Sequence, residues 1–429
     1  MWKIIKSIFI LLVISLSAAC AAPAAESTPT PPDSNTAIPT SLPPSPTATT
    51  PPKPTITPDP FPDPVLKITG EEEVVFDWTT DRCERSNIPD LPARAFRDAS
   101  GQVQQIISHQ NNYRLVGPDL NNVSPDCRVV MSSDHQGDPA LYNDNEWIAA
   151  VYTEDGKTIH ALVHNEYHGE THPGQCPSGE HFPCWGNSIT LFRSTDGGDT
   201  FQEARTPPDH LVARLPYPYQ AGSGPMGYRT PSNIIQGQDG FFYSFFNVVM
   251  PDTQEQFLCL MRTDDLANPD SWRFWNGRGF SGTFIDPYQK TPDNPQAHHC
   301  SPLDQDAIGH ALNNSITYNT FLERYVLIGL SADHIEGREV WGIYYSFSEN
   351  LVDWTHRKLL KEVPLPWTVV HAGSDLSILY PSLLDPESDS RNFETAGKTA
   401  YLYYTRNNKG HESLDRDLIR VPVEFFPEP

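Results

Sequence analysis

Positive charge is scarce in this chain. Thirty Lys and Arg stand against 54 Asp and Glu, a formal net charge of −24. A surface of that sign offers no basic patch to nucleic acid or to an anionic bilayer. The signatures of several chemistries are missing too. No Gly-rich nucleotide loop, zincin helix or Gly-x-Ser-x-Gly elbow occurs, so phosphoryl transfer and esterase chemistry have no support. No C-x-x-C pair is present, and the contiguous His299-Cys300 does not replace that zinc-binding spacing. Long helical periodicity is absent. Beyond residue 65 there is no second low-complexity linker, so residues 65–429 read as one large domain.

The N-terminus points to export. Lys3 and Lys6 precede an apolar run over residues 8–16, then Ser17-Ala-Ala-Cys20. A basic start, a short apolar core and small residues before a break form an export signal rather than a spanning helix. The small residues before Cys20 resemble a bacterial lipoprotein box, with Ser17 where leucine is usual. That resemblance implies a signal over residues 1–20, lipidation of Cys20 and a cell-surface protein touching membrane only through its lipid. The alternative is a secreted protein cut after Ala19 or Ala22. Residues 21–64 are rich in Pro, Thr, Ser and Ala and cannot bury enough surface to offset their ordering entropy. They read as an extended tether reaching on the order of 100 Å at about 3.1 Å per residue.

Six further cysteines remain: Cys83, Cys127, Cys176, Cys184, Cys259 and Cys300. An even count in an exported chain points to three disulfides, in any of about 15 connectivities. The expectation is pairing in sequence order. It is best founded for Cys176–Cys184, which closes a short Pro/Gly-rich loop.

What is abundant is β-forming sequence. Short runs of Val, Ile, Tyr, Phe and Trp alternate with Gly, Asp, Asn and Pro clusters. Hairpin-like pairs occur at residues 93–98 and 103–109, 147–152 and 158–167, 232–235 and 241–249, 315–318 and 325–330, and 380–384 and 399–406. A second repeat overlies them: residues 191–201, 260–272 and 343–354 each give a β-run, then Ser or Thr with an acidic residue, then an aromatic. Recurring strand–turn–aromatic units mark an array of small sheets. The predicted fold is all-β, a five-bladed β-propeller, whose radial closure leaves few sheet edges. A β-sandwich would place strands more evenly, without a repeat of blade length.

Gly137-Asp138-Pro139, residues 315–328, the Ser-x-x-Leu-x-x-Trp ending at Trp354 and Tyr401–Arg406 together resemble blades of the arabinanase and β-xylosidase superfamily of five-bladed glycoside hydrolases. The likeness spans roughly residues 90–425. Residues 194–201 match the Asp-box of sialidases, in which the Asp caps its own loop. The superfamily resemblance implies cleavage of a carbohydrate by two carboxyl groups near the axis, one acid and one base or nucleophile. It implies a monomer needing no cofactor beyond an axial Ca²⁺ or Na⁺, for which His310 is the candidate ligand; His371 occupies a matching position.

The candidate catalytic carboxylates are Asp138, then Asp90 ahead of the first blade, then Glu166 as a general acid oriented by His164. Alternation places His164 and Glu166 on one strand face, with Asn165 and Tyr167 on the other. The superfamily's third blade usually opens with an acidic Glu before Gly-Pro. Residues 224–233 carry none, which leaves a non-catalytic glycan-binding protein as the alternative. Arg94 and Arg229 keep a sialidase-like reading open, because guanidinium groups clamp carboxylates. Asn233, Trp185 and Tyr228 complete the expected substrate contacts. Tyr217, Tyr219 and Trp275 are further loop aromatics suited to stacking on sugar faces.

Overall fold

A computed structural model describes residues 63–251, 253–368, 376–410 and 413–427. The export signal, Cys20, His371 and nearly all of the tether lie outside the described residues.

The β-runs become five antiparallel meanders. The first comprises Arg94–Arg97, Val103–Ile107, Asn111–Gly117 and Ser124–Ser132. The second comprises Asn145–Tyr152, Ile159–His168, Trp185–Ser194 and the short Gln202–Glu203. The third runs Met226–Pro231, Phe242–Val249, Gln256–Thr263 and Arg273–Phe274. The fourth runs Ser315–Asn319, Arg324–Ile335, Arg338–Ser348 and Lys358–Glu362. The fifth pairs Ser377–Leu384, Thr399–Asn407 and Arg416–Phe426, and Val65–Ile68 from the start of the domain adds its outer strand. Hydrogen bonding merges the second and third meanders into one 11-stranded sheet. The link is a parallel contact of Met226 and Gly227 with Gly186 and Asn187.

Because strand residues alternate sides, each meander has two apolar faces, and each face packs on a neighbour. Phe96, Ile106, Ile148 and Phe192 join the first meander to the second. Leu162, Ile189 and Phe246 join the second to the third. Phe245, Leu258, Ile316 and Leu327 join the third to the fourth, and Ile328, Tyr345, Leu402 and Val421 the fourth to the fifth. Tyr403 and Leu418 then pack on Val103 and Leu115, returning to the first. Each fully buried Phe or Leu is worth roughly 1.5–3 kcal/mol, so closing the ring doubles the faces that stabilise each sheet. The architecture is an all-β propeller, and the sandwich is excluded.

The threefold repeat is the turn from third to fourth strand. Ser194 Oγ accepts from Gly198 N at 2.9 Å, Thr263 Oγ1 from Asp265 N at 3.0 Å, and Ser348 Oγ from Leu351 N at 2.9 Å. The aromatics that follow, Phe201, Trp272 and Trp354, are buried between meanders. Asp196 caps its own loop, accepting from Thr200 N at 3.0 Å and Thr200 Oγ1 at 2.7 Å.

All three disulfides pair in sequence order: Cys83–Cys127, Cys176–Cys184 and Cys259–Cys300. They fit an oxidising compartment outside the cytoplasm. No helix among the described residues is long and apolar enough to cross a membrane.

Candidate active site

A cavity of about 510 Å³ opens where the innermost strands begin. The strand Ile159–His168 supplies its charged wall. With period two, His164, Glu166 and His168 share a face. His164 Nε2 lies 2.8 Å from Glu166 Oε1, and His168 Nε2 lies 2.8 Å from Glu166 Oε2. The other face behaves as alternation requires: Asn165 bonds Ser188 Oγ at 3.0 Å, and Tyr167 donates to the Gly137 carbonyl at 2.9 Å. Burial alone would push the Glu166 carboxyl up, but the hydrogen bonds and charges of the two histidines outweigh it and hold the pKa far below the usual range. A lowered pKa favours the ionised form, the state of a base or nucleophile, whereas the acid role expected from the sequence needs a raised one. Glu166 is a carboxylate suited to activating water or attacking carbon.

The third meander contributes Arg229, from the stretch 224–233 that carries no Glu. Its guanidinium sits 4.9 Å from the centre of the Trp185 ring, and its Nε is buried without a hydrogen-bond partner. Burial lowers its pKa, and the Glu166 charge partly restores it. Trp185, Trp341 and Trp367 line the cavity, the last 57% exposed. Asn247, Asn313 and Asn314 also line it; Asn247 and Asn313 give their amide N–H groups to the carbonyls of His310 and Thr230.

The fifth meander delivers Tyr380, which no sequence signal had marked. Its φ of 56° is strained for a bulky residue, and the register of its strand shifts between Leu379 and Ser382. The bulge re-aims the side chain. Tyr380 lines the cavity, and its hydroxyl lies 3.3 Å from Asp90 Oδ1. Burial, ahead of the Asp90 charge, raises its pKa well above the usual phenol value, and the protonated hydroxyl donates to Asp90. Arg416 also donates to Asp90, and His109 Nε2 lies 3.8 Å away. The Trp147 ring stands 6.0 Å from His109 and 6.1 Å from His164, between the two groups. Asp90 and Glu166 therefore approach the same part of the molecule, with Asp90 behind Tyr380.

Other expected site residues lie elsewhere. Asp138 is exposed and caps its own turn, accepting from Ala140 N at 3.0 Å; an Asp before Pro satisfies this local bond wherever the turn sits. Arg94 is 3% exposed beneath the cavity and gives its donors to the carbonyls of Ala149 at 2.8 Å, Asn314 at 2.7 Å and Ala93 at 3.2 Å. Its burial without a carboxylate lowers its pKa to about 9, and each of its three nitrogens is tied to a carbonyl of the fold. Asn233 is bonded both ways to Ile316, at 2.7 and 2.9 Å, joining two meanders. Tyr228 is fully buried against Phe246 and Phe284. His310 does line the cavity, but it faces the charges of Arg229 and Arg357. Such surroundings repel a cation, so the residues present do not fit an axial Ca²⁺ or Na⁺ there.

Two carboxyls raised by burial lie outside the cavity lining. Glu146, beside Asp134, is pushed up to about 9, and Glu394, held by Gln236 N and Tyr152, is also raised.

No protein-family model matches the chain, and no curated protein matches it. Solved structures do overlay on it. A protein of unknown function from Dyadobacter fermentans has 11% identity over 84% of this chain and 99% of that one, with a TM-score of 0.44. An endo-arabinase from Bacteroides thetaiotaomicron has 11% identity over 82% and 97%, with a TM-score of 0.43. An α-L-arabinanase from Cellvibrio cellulosa has 9% identity over 74% and 87%, with a TM-score of 0.39.

Proposed function

We propose that the protein hydrolyses a glycosidic bond in an extracellular carbohydrate held in the axial cavity. The observation that carries this reading is the Glu166 carboxylate, bracketed by His164 and His168, in the same cavity as the indoles of Trp185, Trp341 and Trp367. Indole faces suit the C–H faces of sugars, and the amide nitrogen of Asn314, whose oxygen accepts from Leu330 N at 3.2 Å, suits a sugar hydroxyl. Glu166 supplies the ionised carboxylate, and Asp90, reached through Tyr380, is the second carboxyl. Arg229 is available to a charged or polar group of the substrate. Export and a lipid anchor at Cys20 would present the domain at the cell surface.

One observation favours a second reading, glycan binding without hydrolysis. Among the described residues, the carboxyls that burial raises, Glu146 and Glu394, do not line the cavity. The two readings separate in a screen of the full chain on arabinan, xylan, galactan, fructan and sialylated glycans, with Glu166→Gln alongside. Sugar release by the wild type that collapses in the variant supports hydrolysis at this cavity. Release undiminished in the variant removes Glu166 from the mechanism. Binding of one polysaccharide without release selects the second reading.

A further inference from the structure

A different cluster lies beside the cavity wall. His168, Glu170 and His181 each offer a ligand atom, all within 4.8 Å of one another, the one such group of three among the described residues. His181 Nδ1 is 2.8 Å from Glu170 Oε1, and His168 Nδ1 is 4.0 Å from the same oxygen. Ligands on a tetrahedral zinc ion at about 2.0–2.1 Å stand about 3.4 Å apart, between these two separations. Local structure brings the three together. Glu170 sits in the single turn Gly169–Thr171 directly after the His168 strand. The Cys176–Cys184 disulfide folds the next loop back, returning His181 to within 4.6 Å of the His168 ring, centre to centre.

Two further observations point to a ligand. Glu170 Oε2 is buried with no hydrogen-bond partner. His168 turns its other nitrogen, Nε2, onto Glu166 at 2.8 Å. A metal-binding histidine characteristically gives its second N–H to a carboxylate, which fixes the ring and its tautomer. With Nε2–H directed at Glu166, the Nδ1 lone pair faces Glu170 and His181.

We propose that His168, Glu170 and His181 form a site for a Zn²⁺-class divalent ion, with a solvent-accessible fourth position. Two imidazoles and one carboxylate are a donor set for borderline-soft transition ions rather than for Ca²⁺ or Mg²⁺. Binding replaces the hydrogen bond between His181 and Glu170: the proton leaves Nδ1 and Nε2 of the same ring carries it instead, so the imidazole stays neutral and binds through the freed Nδ1 lone pair. The ion ties the disulfide loop to the strand carrying Glu166. His181 stacks on Trp185, with ring centres 4.9 Å apart, so the same ion fixes one aromatic wall of the cavity. The site does not depend on the hydrolytic reading.

The test is calorimetric titration of the chelator-stripped full chain with ZnCl₂, accompanied by visible absorption of its Co²⁺ form. The expected result is one ion per chain, tetrahedral Co²⁺ bands, a melting temperature raised by Zn²⁺, and affinity lowered tenfold or more in both Glu170→Gln and His181→Ala. The His181 side chain is 37% exposed, so its removal leaves a folded protein to measure even if the Glu170 variant does not fold. Absence of stoichiometric zinc binding, or binding that the folded variants retain unchanged, overturns the site.

Discussion

Arg94, buried, and Arg229, half-buried, are both arginines set on innermost strands, yet their surroundings differ. Arg94 and Asn233 lie deeper along those strands, where the space between them shrinks to about 10 Å³ and each nitrogen of the Arg94 guanidinium meets a carbonyl. Arg229 lies four residues before Asn233, roughly 13 Å away along an extended strand, and faces the cavity with an unpartnered Nε. The deep group is a plug, satisfied within the fold and holding the meanders together. The shallow group is left unsatisfied by the fold, and that is the condition of a binding surface. The same contrast separates Asn233, fully bonded to Ile316, from Glu166, whose two histidines leave it charged beside open space.

The sharpest way to separate the two regions is to alter one charge in the cavity. Glu166→Gln is predicted to lower hydrolysis by about 100-fold or more while the thermal unfolding midpoint stays close to wild type; a loss of activity matched by unfolding would make Glu166 structural. Next in size is the plug. Arg94→Met should cost about 3 kcal/mol in denaturant unfolding, because three buried carbonyls lose their donors. Arg229→Met should change stability by less than about 0.5 kcal/mol and weaken glycan affinity. Equal destabilisation by both would erase the distinction between the regions.

A smaller effect concerns Glu146, a buried carboxyl whose native pKa, about 9, lies above its unfolded value. Its contribution is fully present below about pH 4.5 and is lost as pH rises through about 9. Glu146→Gln should therefore match wild type near pH 4 and exceed it by on the order of 2 kcal/mol at pH 8, read from urea unfolding at both values; a gap that widens toward acid would reverse the assignment. The smallest effect is expected at Asp138. Asp138→Asn should leave activity within about twofold and stability within about 0.5 kcal/mol, since it keeps an oxygen able to cap the same turn.

Local pattern carried much of this into the sequence. Strand pairs were legible because alternation and turn residues act over a few positions, and the His164–Glu166 face followed from the same period. The disulfide pairing was legible because its partners are neighbours in order. Direction relative to the axis was not. Asp138 before Pro139 looks the same whether it caps a turn or faces a substrate, and a strand-start Arg does not reveal whether carbonyls will surround it. Tyr380 gave no signal because its left-handed backbone is imposed by the sheet and is not marked by Gly or Asn. His168, Glu170 and His181 became a group only once the disulfide loop returned, a contact no spacing rule contains.

The central claim is that the axial cavity holds the sugar. The most direct measurement is a crystal structure of the Glu166→Gln variant soaked with an oligosaccharide of whichever polysaccharide the wild type cleaves or binds. The account predicts sugar rings against Trp185 and Tyr380, with a glycosidic oxygen or anomeric carbon facing residue 166. Density for the sugar beside Asp138, or on any surface away from the cavity, would contradict it.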